Sequence, residues 1–166
     1  MKKYFFLFIF TFSLLLSCTT GETTTYYLIR HAEKDRTDQS NGNPNLNFEG
    51  EKRAQGWANY FEDIQIDAVY STKYFRTMET ATPTAMTKKL RIQYYDPRNM
   101  YDSVFKAETK GKSVLVVGHS NTTPVFANKI LGNDIYENMD DNDNSSLYIV
   151  TISGDDKESR IEKVEK

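Results

Sequence analysis

The sequence has few of the residues that build disulfide frameworks or zinc sites. Its 166 residues include one cysteine, Cys18, and two histidines, His31 and His119. A single thiol cannot form a disulfide within the chain, and structural zinc sites take four ligands drawn mainly from cysteine and histidine. We therefore expect neither a disulfide scaffold nor a cysteine-based metal site.

Long runs of one charge and nucleotide-binding motifs are also absent from the sequence. Lysine and arginine together number 21 against 23 aspartates and glutamates, which gives a net charge of −2. Nucleic-acid backbones are bound by clustered basic residues, so we expect no nucleic-acid partner. The sequence contains neither a Walker A motif nor a dinucleotide fingerprint, and we expect no cofactor.

One long hydrophobic run is present, near the N-terminus. Two lysines precede an uncharged stretch over residues 4–16, which is followed by Ser17 and Cys18. The stretch is shorter than the roughly 20 residues that span a bilayer, and its basic start is typical of a secretory signal. Its end resembles a bacterial lipobox, whose cysteine is lipidated and becomes the mature N-terminus. We expect a signal peptide over 1–17, a lipid-anchored tether over 18–24 and a location in the bacterial cell envelope, facing the periplasm or the exterior. The alternative is an ordinary signal peptide with a coincidental cysteine.

Strand and helix patterns alternate along residues 25–166, which we interpret as a single domain. Strands are predicted over 25–29, 66–70, 91–95 and 113–117, helices over 49–61, 74–89, 98–109 and 124–131, and a C-terminal hairpin over 147–152 and 159–164. Alternation of this kind favours an α/β fold with a mostly parallel central sheet between two layers of helices. Pro83 lies inside the second helix, where it is expected to kink or restart it.

The two histidines follow predicted strands. Arg30 and His31 end the first strand, and Gly118 and His119 end the fourth. One histidine alone is usually an ordinary polar residue. Ligands of parallel sheets bind beyond the carboxyl ends of the strands, so these two side chains are expected to project into one crevice.

Four blocks of sequence resemble the motifs of the histidine phosphatase superfamily. The blocks are LIRHAEK at 28–34, LNFEG followed by Arg-Ala at 46–54, YST and RTMETA at 70–81, and VGHSN at 117–121. Ala32 replaces the usual glycine and Asn47 a common threonine, but the order of the blocks is that of the family. The resemblance implies a phosphoglycerate mutase-like fold in a short bacterial lipoprotein, with phosphate-ester hydrolysis as its activity.

The resemblance also implies roles for individual residues. His31 would attack phosphorus and form a covalent phosphohistidine, which splits one displacement into two easier steps. Arg30, Arg76 and His119 would bind the phosphate, because a transferring phosphoryl group spreads its charge over oxygens that guanidinium groups match. No metal is expected to take part.

The leaving oxygen needs a proton, and the sequence offers two candidate residues to donate it. In the family a carboxylic acid commonly follows the third strand, where Asp96 lies before Pro97; an Asp-Pro turn is the alternative interpretation. Glu33 is a second candidate. Glu79 is expected to be structural and to orient an arginine. Some short members of the family act on phosphohistidine, whose nitrogen leaving group demands less of an acid.

Three other interpretations of the sequence were weighed. A serine esterase would need Gly-x-Ser-x-Gly around Ser120 and a histidine after it, and neither is present. A non-catalytic phosphate-binding domain would keep Arg30 and Arg76. A sugar-phosphate mutase of the family usually carries insertions, whereas the stretch between Arg76 and His119 is short. The expected substrate is a small phosphorylated molecule or a phosphoprotein.

We predict that Cys18 carries the lipid. Cys18→Ala should give a protein that is unprocessed or released from the membrane, because acylation of the thiol would supply the anchor. Mass spectrometry of the mature protein tests this directly, and an N-terminus other than Cys18 would refute it.

Overall fold

The structure is a computed structural model that describes residues 22–165. The predicted signal peptide, Cys18 and most of the tether therefore lie outside the described residues. The elements in chain order are β1 (Thr23–Arg30), α1 (Phe48–Tyr60), β2 (Ala68–Ser71), α2 (Phe75–Thr87), β3 (Ile92–Tyr94), α3 (Ser103–Thr109), β4 (Ser113–Gly118), α4 (Thr122–Leu131), β5 (Ser146–Ser153) and β6 (Asp156–Lys163). Within 22–165, no helix has the length and apolar character needed to cross a membrane.

The strands form one six-stranded sheet in the order β3-β2-β4-β1-β5-β6. β3, β2, β4 and β1 pair in parallel, and β5 and β6 add an antiparallel hairpin at one edge. The predicted fold, a mostly parallel sheet with a C-terminal hairpin, is confirmed.

Helices cover both faces of the sheet because its central strands are apolar on both sides. In β4, Val114 and Val116 face a cluster that includes Phe105 of α3 and Phe126 of α4. Leu115 and Val117 face the opposite cluster, which contains Trp57 and Phe61 near α1 and Ala81 and Ala85 of α2. Successive side chains of a strand point to opposite faces, so the apolar run in β4 produces the three-layer arrangement.

α2 continues through Pro83 without restarting, and a kink at this residue stays a prediction. The start of α3 differs from the sequence prediction. α3 begins at Ser103, five residues later than predicted, because the Asp102 side chain accepts a hydrogen bond from the Phe105 backbone N–H at 2.8 Å and caps the helix. Tyr101 has a positive φ of 57°, which excludes a continuous helix from residue 98.

Candidate active site

The two histidine rings lie next to each other, edge to face, at the carboxyl ends of β1 and β4. The strands pair in parallel with Arg30 opposite Gly118, and the His31 N–H donates to the Gly118 carbonyl at 2.9 Å. The ring centroids of His31 and His119 are 5.5 Å apart. Both rings line a polar cavity of about 330 Å³, hereafter called the phosphate cavity after the ligand expected from the sequence, together with Arg30, Lys34, Tyr74, Arg76, Pro97, Ser120, Asn121, Thr122 and Asp141.

Hydrogen bonding fixes the tautomer of His31. Its Nδ1 lies 2.7 Å from the Ala32 carbonyl oxygen. A carbonyl can only accept, so Nδ1 carries the proton and Nε2 keeps its lone pair. Burial, followed by the nearby positive charge of Arg30, lowers the pKa of His31 to about 3. His31 is therefore a neutral imidazole at pH 7 with one nitrogen available as a nucleophile.

His119 is held from the opposite side of the phosphate cavity. Its Nε2 is 3.0 Å from the Thr72 hydroxyl, which lies 2.9 Å from the Thr77 hydroxyl. Burial and the charge of Arg76 lower the pKa of His119 to about 4. A bound phosphate dianion would reverse the local charge and favour protonated His119, because an opposite charge at short range stabilises the charged form.

Gly118 allows the chain to pass close to α4 before His119. A Cβ at Gly118 would lie 2.9 Å from the hydroxyls of both Thr122 and Tyr95. The Thr122 hydroxyl accepts a hydrogen bond from the His119 backbone N–H at 2.9 Å. A side chain at position 118 would displace the group that fixes the His119 backbone.

Arg30 is held by the loop that connects α4 to β5. Its Nη1 donates to the Asp140 and Asp143 carbonyls at 3.2 and 3.3 Å, and its Nη2 lies 3.4 Å from the Asp141 carboxylate. The Arg30 side chain is buried, and its Nε has no hydrogen-bond partner among the described residues.

Arg76, in the first turn of α2, has more buried guanidinium nitrogens without a hydrogen-bond partner among the described residues than Arg30 has. Its guanidinium carbon lies 4.5 Å from the centroid of the Tyr74 ring. Both Nε and Nη1 of Arg76 are buried without a hydrogen-bond partner in the described part of the chain. Leaving a buried donor unsatisfied costs about 1–3 kcal/mol, and more for a charged group. Unsatisfied N–H groups beside two histidines favour binding of an anion with several acceptor oxygens.

Arg76 and His31 are linked through a single hydroxyl. Thr80 Oγ1 donates to the Arg76 carbonyl at 2.7 Å and accepts from the Ala32 backbone N–H at 2.8 Å. The helix that carries Arg76 is thereby hydrogen-bonded to the segment that carries His31.

The structure does not bring the Asp96 carboxylate into the phosphate cavity. Asp96 lines a neighbouring cavity, where its carboxylate accepts from Arg98 Nη2 at 2.8 Å and from the Arg98 backbone N–H at 2.9 Å. These hydrogen bonds lower the pKa of Asp96 to about 2. The arrangement is that of an Asp turn, and the proton-donor role of Asp96 stays a prediction.

The two glutamates considered from the sequence have structural partners. Glu33 accepts hydrogen bonds from Arg53 of α1 at 2.9–3.0 Å. Glu79 accepts one hydrogen bond from the Leu46 backbone N–H at 2.7 Å and another from the Asn45 side chain. It therefore stabilises the loop before α1 and does not orient an arginine.

Sequence reasoning missed Lys34, Tyr74 and Asp141 as neighbours of the two histidines. Asp141 lies in the loop that connects α4 to β5, and its side chain is 74% exposed. It nevertheless accepts a hydrogen bond from Ser120 at 2.8 Å and contacts Arg30. The feature that could have placed Asp141 near Arg30 is the position of its loop directly before β5, because β5 pairs with β1. Among residues 22–165, no cluster of three or more histidine, cysteine or carboxylate side chains could hold a metal.

Comparison with known proteins agrees with this geometry. Residues 26–97 match the family model of the histidine phosphatase superfamily (branch 1). The resemblance to the histidine phosphatase superfamily is confirmed. The matched region contains Arg30, His31 and Arg76, whereas His119 lies beyond it. Comparison with curated protein sequences gives no significant match.

Solved structures of histidine phosphatases have the same fold. A proposed phosphohistidine phosphatase SixA from Agrobacterium tumefaciens is 22% identical, with a TM-score of 0.63 over 84% of this chain and 97% of that chain. The protein histidine phosphatase SixA in complex with tungstate is 15% identical, with a TM-score of 0.66 over 84% and 96%. A mycobacterial glucosyl-3-phosphoglycerate phosphatase is 11% identical, with a TM-score of 0.61 over 85% and 98%. At these identities the likeness shows the fold alone.

The low pKa values of the two histidines predict how stability depends on pH. Both native pKa values lie below the ordinary 6.5, so the unfolded chain takes up protons that the native protein does not. The free energy of unfolding should be highest above pH 6.5 and fall towards pH 4, by up to about 1.4 kcal/mol per pH unit for each histidine.

Denaturant unfolding of the wild type and of His31→Asn between pH 4 and 7 measures this effect. Asparagine can still donate to the Ala32 carbonyl but does not titrate, so the variant should lose part of the slope. Equal slopes in the two proteins would contradict the low pKa of His31.

Proposed function

We propose that this protein is a phosphatase that hydrolyses phosphate monoesters, or a phosphorylated protein side chain, through a covalent phosphohistidine on His31. The observation that carries the proposal is the neutral His31, with Nε2 available, beside unsatisfied guanidinium N–H groups of Arg30 and Arg76. A nucleophile and an anion site in one cavity are what phosphoryl transfer requires.

In the first step, His31 Nε2 attacks phosphorus and forms a P–N bond while the P–O bond to the leaving group breaks. Arg30, Arg76 and protonated His119 balance the charge on the phosphoryl oxygens. The leaving oxygen takes up a proton and departs as an alcohol. In the second step, water attacks phosphorus, the P–N bond breaks and His31 returns to its neutral form with release of inorganic phosphate.

We favour hydrolysis over phosphate transfer between sugar positions because the phosphate cavity is open to the water that the second step needs. Asp141, at the edge of the phosphate cavity, is largely exposed to solvent, so water has access to phosphorus after the first product leaves. The sequence further supports a proposal that the enzyme works in the cell envelope on a lipid anchor at Cys18.

His31→Ala should lower turnover by more than about 1,000-fold, because the variant has no nucleophile. Rapid acid-free quenching with ³²P-labelled substrate should trap acid-labile label on the wild type and none on the variant. The variant should still bind inorganic phosphate, since Arg30, Arg76 and His119 remain, and this binding shows that the site is folded.

Two results would contradict the proposal. Turnover at the wild-type rate in His31→Ala would exclude His31 as the nucleophile. Phosphate binding by a wild-type protein that hydrolyses no ester and acquires no label would instead identify a non-catalytic phosphate-binding domain.

Asp96 is proposed as the proton donor in a state in which its ion pair with Arg98 has opened and the negative charge of a bound phosphate raises the pKa of the carboxyl group, so that it takes up the proton it then donates. The pair is exposed, with 45% of the Asp96 and 88% of the Arg98 side chain accessible, and exposed pairs contribute little to stability. Asp96→Asn should slow an alkyl phosphate by about 100- to 10,000-fold and leave nitrophenyl phosphate nearly unaffected, because nitrophenolate leaves without protonation.

Arg98→Ala serves as the matched control for the Asp96 variant. It removes the same ion pair but keeps the carboxyl group, so hydrolysis of the alkyl phosphate should not fall. A uniform loss on both substrates in Asp96→Asn would assign Asp96 to the turn before Pro97 alone.

A further inference from the structure

A second cavity adjoins the phosphate cavity on the side of α2 and β3. Its volume is about 610 Å³, nearly twice that of the phosphate cavity, and it is lined by Thr72, Lys73, Tyr74, Tyr94, Tyr95, Asp96, Pro97 and Arg98. Tyr74 and Pro97 line both cavities. A group attached to a phosphate bound between the histidines can therefore extend directly into this second cavity.

The Tyr74 side chain takes no part in capping α2. Tyr74 occupies the N-cap site but has no side-chain hydrogen bond to the helix. Asn43, from the long loop before α1, accepts the hydrogen bond from the Phe75 backbone N–H at 2.9 Å instead. The Tyr74 ring lies edge-on to His119, with centroids 5.1 Å apart, and is 39% exposed.

Tyr94 supplies a second exposed ring to the same cavity. It ends β3, the edge strand of the sheet, and half of its surface is accessible. Its hydroxyl has only a weak contact, 3.5 Å from the Met78 sulfur. Isolated exposed aromatic residues are common, but Tyr74 and Tyr94 line one cavity that adjoins a candidate catalytic site.

The charge of the second cavity restricts what it can accept. Lys73 lies 5.5 Å from the centroid of the Tyr94 ring and has no carboxylate partner among the described residues. The Asp96 carboxylate is neutralised by Arg98. The cavity is therefore net positive, which disfavours a cationic group.

We infer that the second cavity binds the leaving group of the substrate and selects planar rings that are uncharged or anionic. This inference rests on the proposed phosphatase activity and specifies its substrate class. Aromatic rings such as those of Tyr74 and Tyr94 bind planar partners by offset stacking or edge contacts, and a cavity of this size accommodates a bicyclic ring.

The test uses three substrates that all release a primary alcohol, so that leaving-group chemistry does not determine the result. They are 2-naphthylmethyl phosphate, butyl phosphate and phosphocholine. For the full-length wild-type protein, kcat/KM should be highest for the naphthylmethyl ester and lowest for phosphocholine. Tyr94→Ala should lower the ratio of naphthylmethyl to butyl kcat/KM by about five- to tenfold.

Phe48→Ala is the matched control, because Phe48 is also an exposed aromatic residue, 68% accessible, but lies at the start of α1 and lines neither cavity. Its ratio should equal that of the wild type. An unchanged ratio in Tyr94→Ala, or phosphocholine as the best substrate, would overturn the inference.

Binding of non-hydrolysable phosphonates separates this inference from the proposed activity. By calorimetry, 2-naphthylmethylphosphonate should bind the wild type more tightly than butylphosphonate, and Tyr94→Ala should remove most of the difference. If the wild type hydrolyses no ester but shows this preference, the phosphatase proposal fails while the ring-binding cavity stands. If the two phosphonates bind equally, the inference fails whatever the activity.

Discussion

The parallel ladder between β1 and β4 ends with Arg30 opposite Gly118, and both histidines leave the sheet from this point. The hydrogen bond from the His31 N–H to the Gly118 carbonyl extends the ladder by one step. It places the two imidazoles on the same edge without any direct bond between their rings. The antiparallel pairing of β5 on the other side of β1 brings in Asn144, which donates to the His31 carbonyl at 2.8 Å. The His31 backbone is thus hydrogen-bonded to β4 on one side and to the loop before β5 on the other.

The polar groups around this ladder are only partly satisfied. Burial lowers the pKa of His31 and His119. The guanidinium groups of Arg30 and Arg76 also have buried nitrogens without a hydrogen-bond partner among the described residues. Such an arrangement lowers the stability of the protein, since each unsatisfied donor loses its hydration without replacement. A phosphate supplies the missing acceptors and the opposite charge in one ligand. The same features that cost stability therefore prepare the site for an anion, as electrostatic preorganisation requires.

Much of the fold and the central site could be predicted from the sequence for specific reasons. The apolar run of β4 required helices on both faces, and the positions of His31 and His119 after strands required a shared edge. The start of α3 was missed because it depends on one capping side chain, Asp102, and on the positive φ of Tyr101. The surroundings of Arg30 were missed because the loop that holds it is 110 residues away in sequence and is placed only by the pairing of β5 with β1.

The position of Asp96 illustrates a further limit of sequence reasoning. Asp96 follows β3 and lines the second cavity, where the leaving group is proposed to bind. Sequence position fixes the element but not the direction of a carboxylate, and Arg98, two residues on, binds it in an exposed pair. A leaving group stacked on Tyr94 would lie in the cavity that Asp96 also lines, although the carboxylate does not line the phosphate cavity. In the proposed mechanism, binding of the leaving group and its protonation would be two properties of one cavity, while Arg30, Arg76 and the histidines would act on phosphorus in the other.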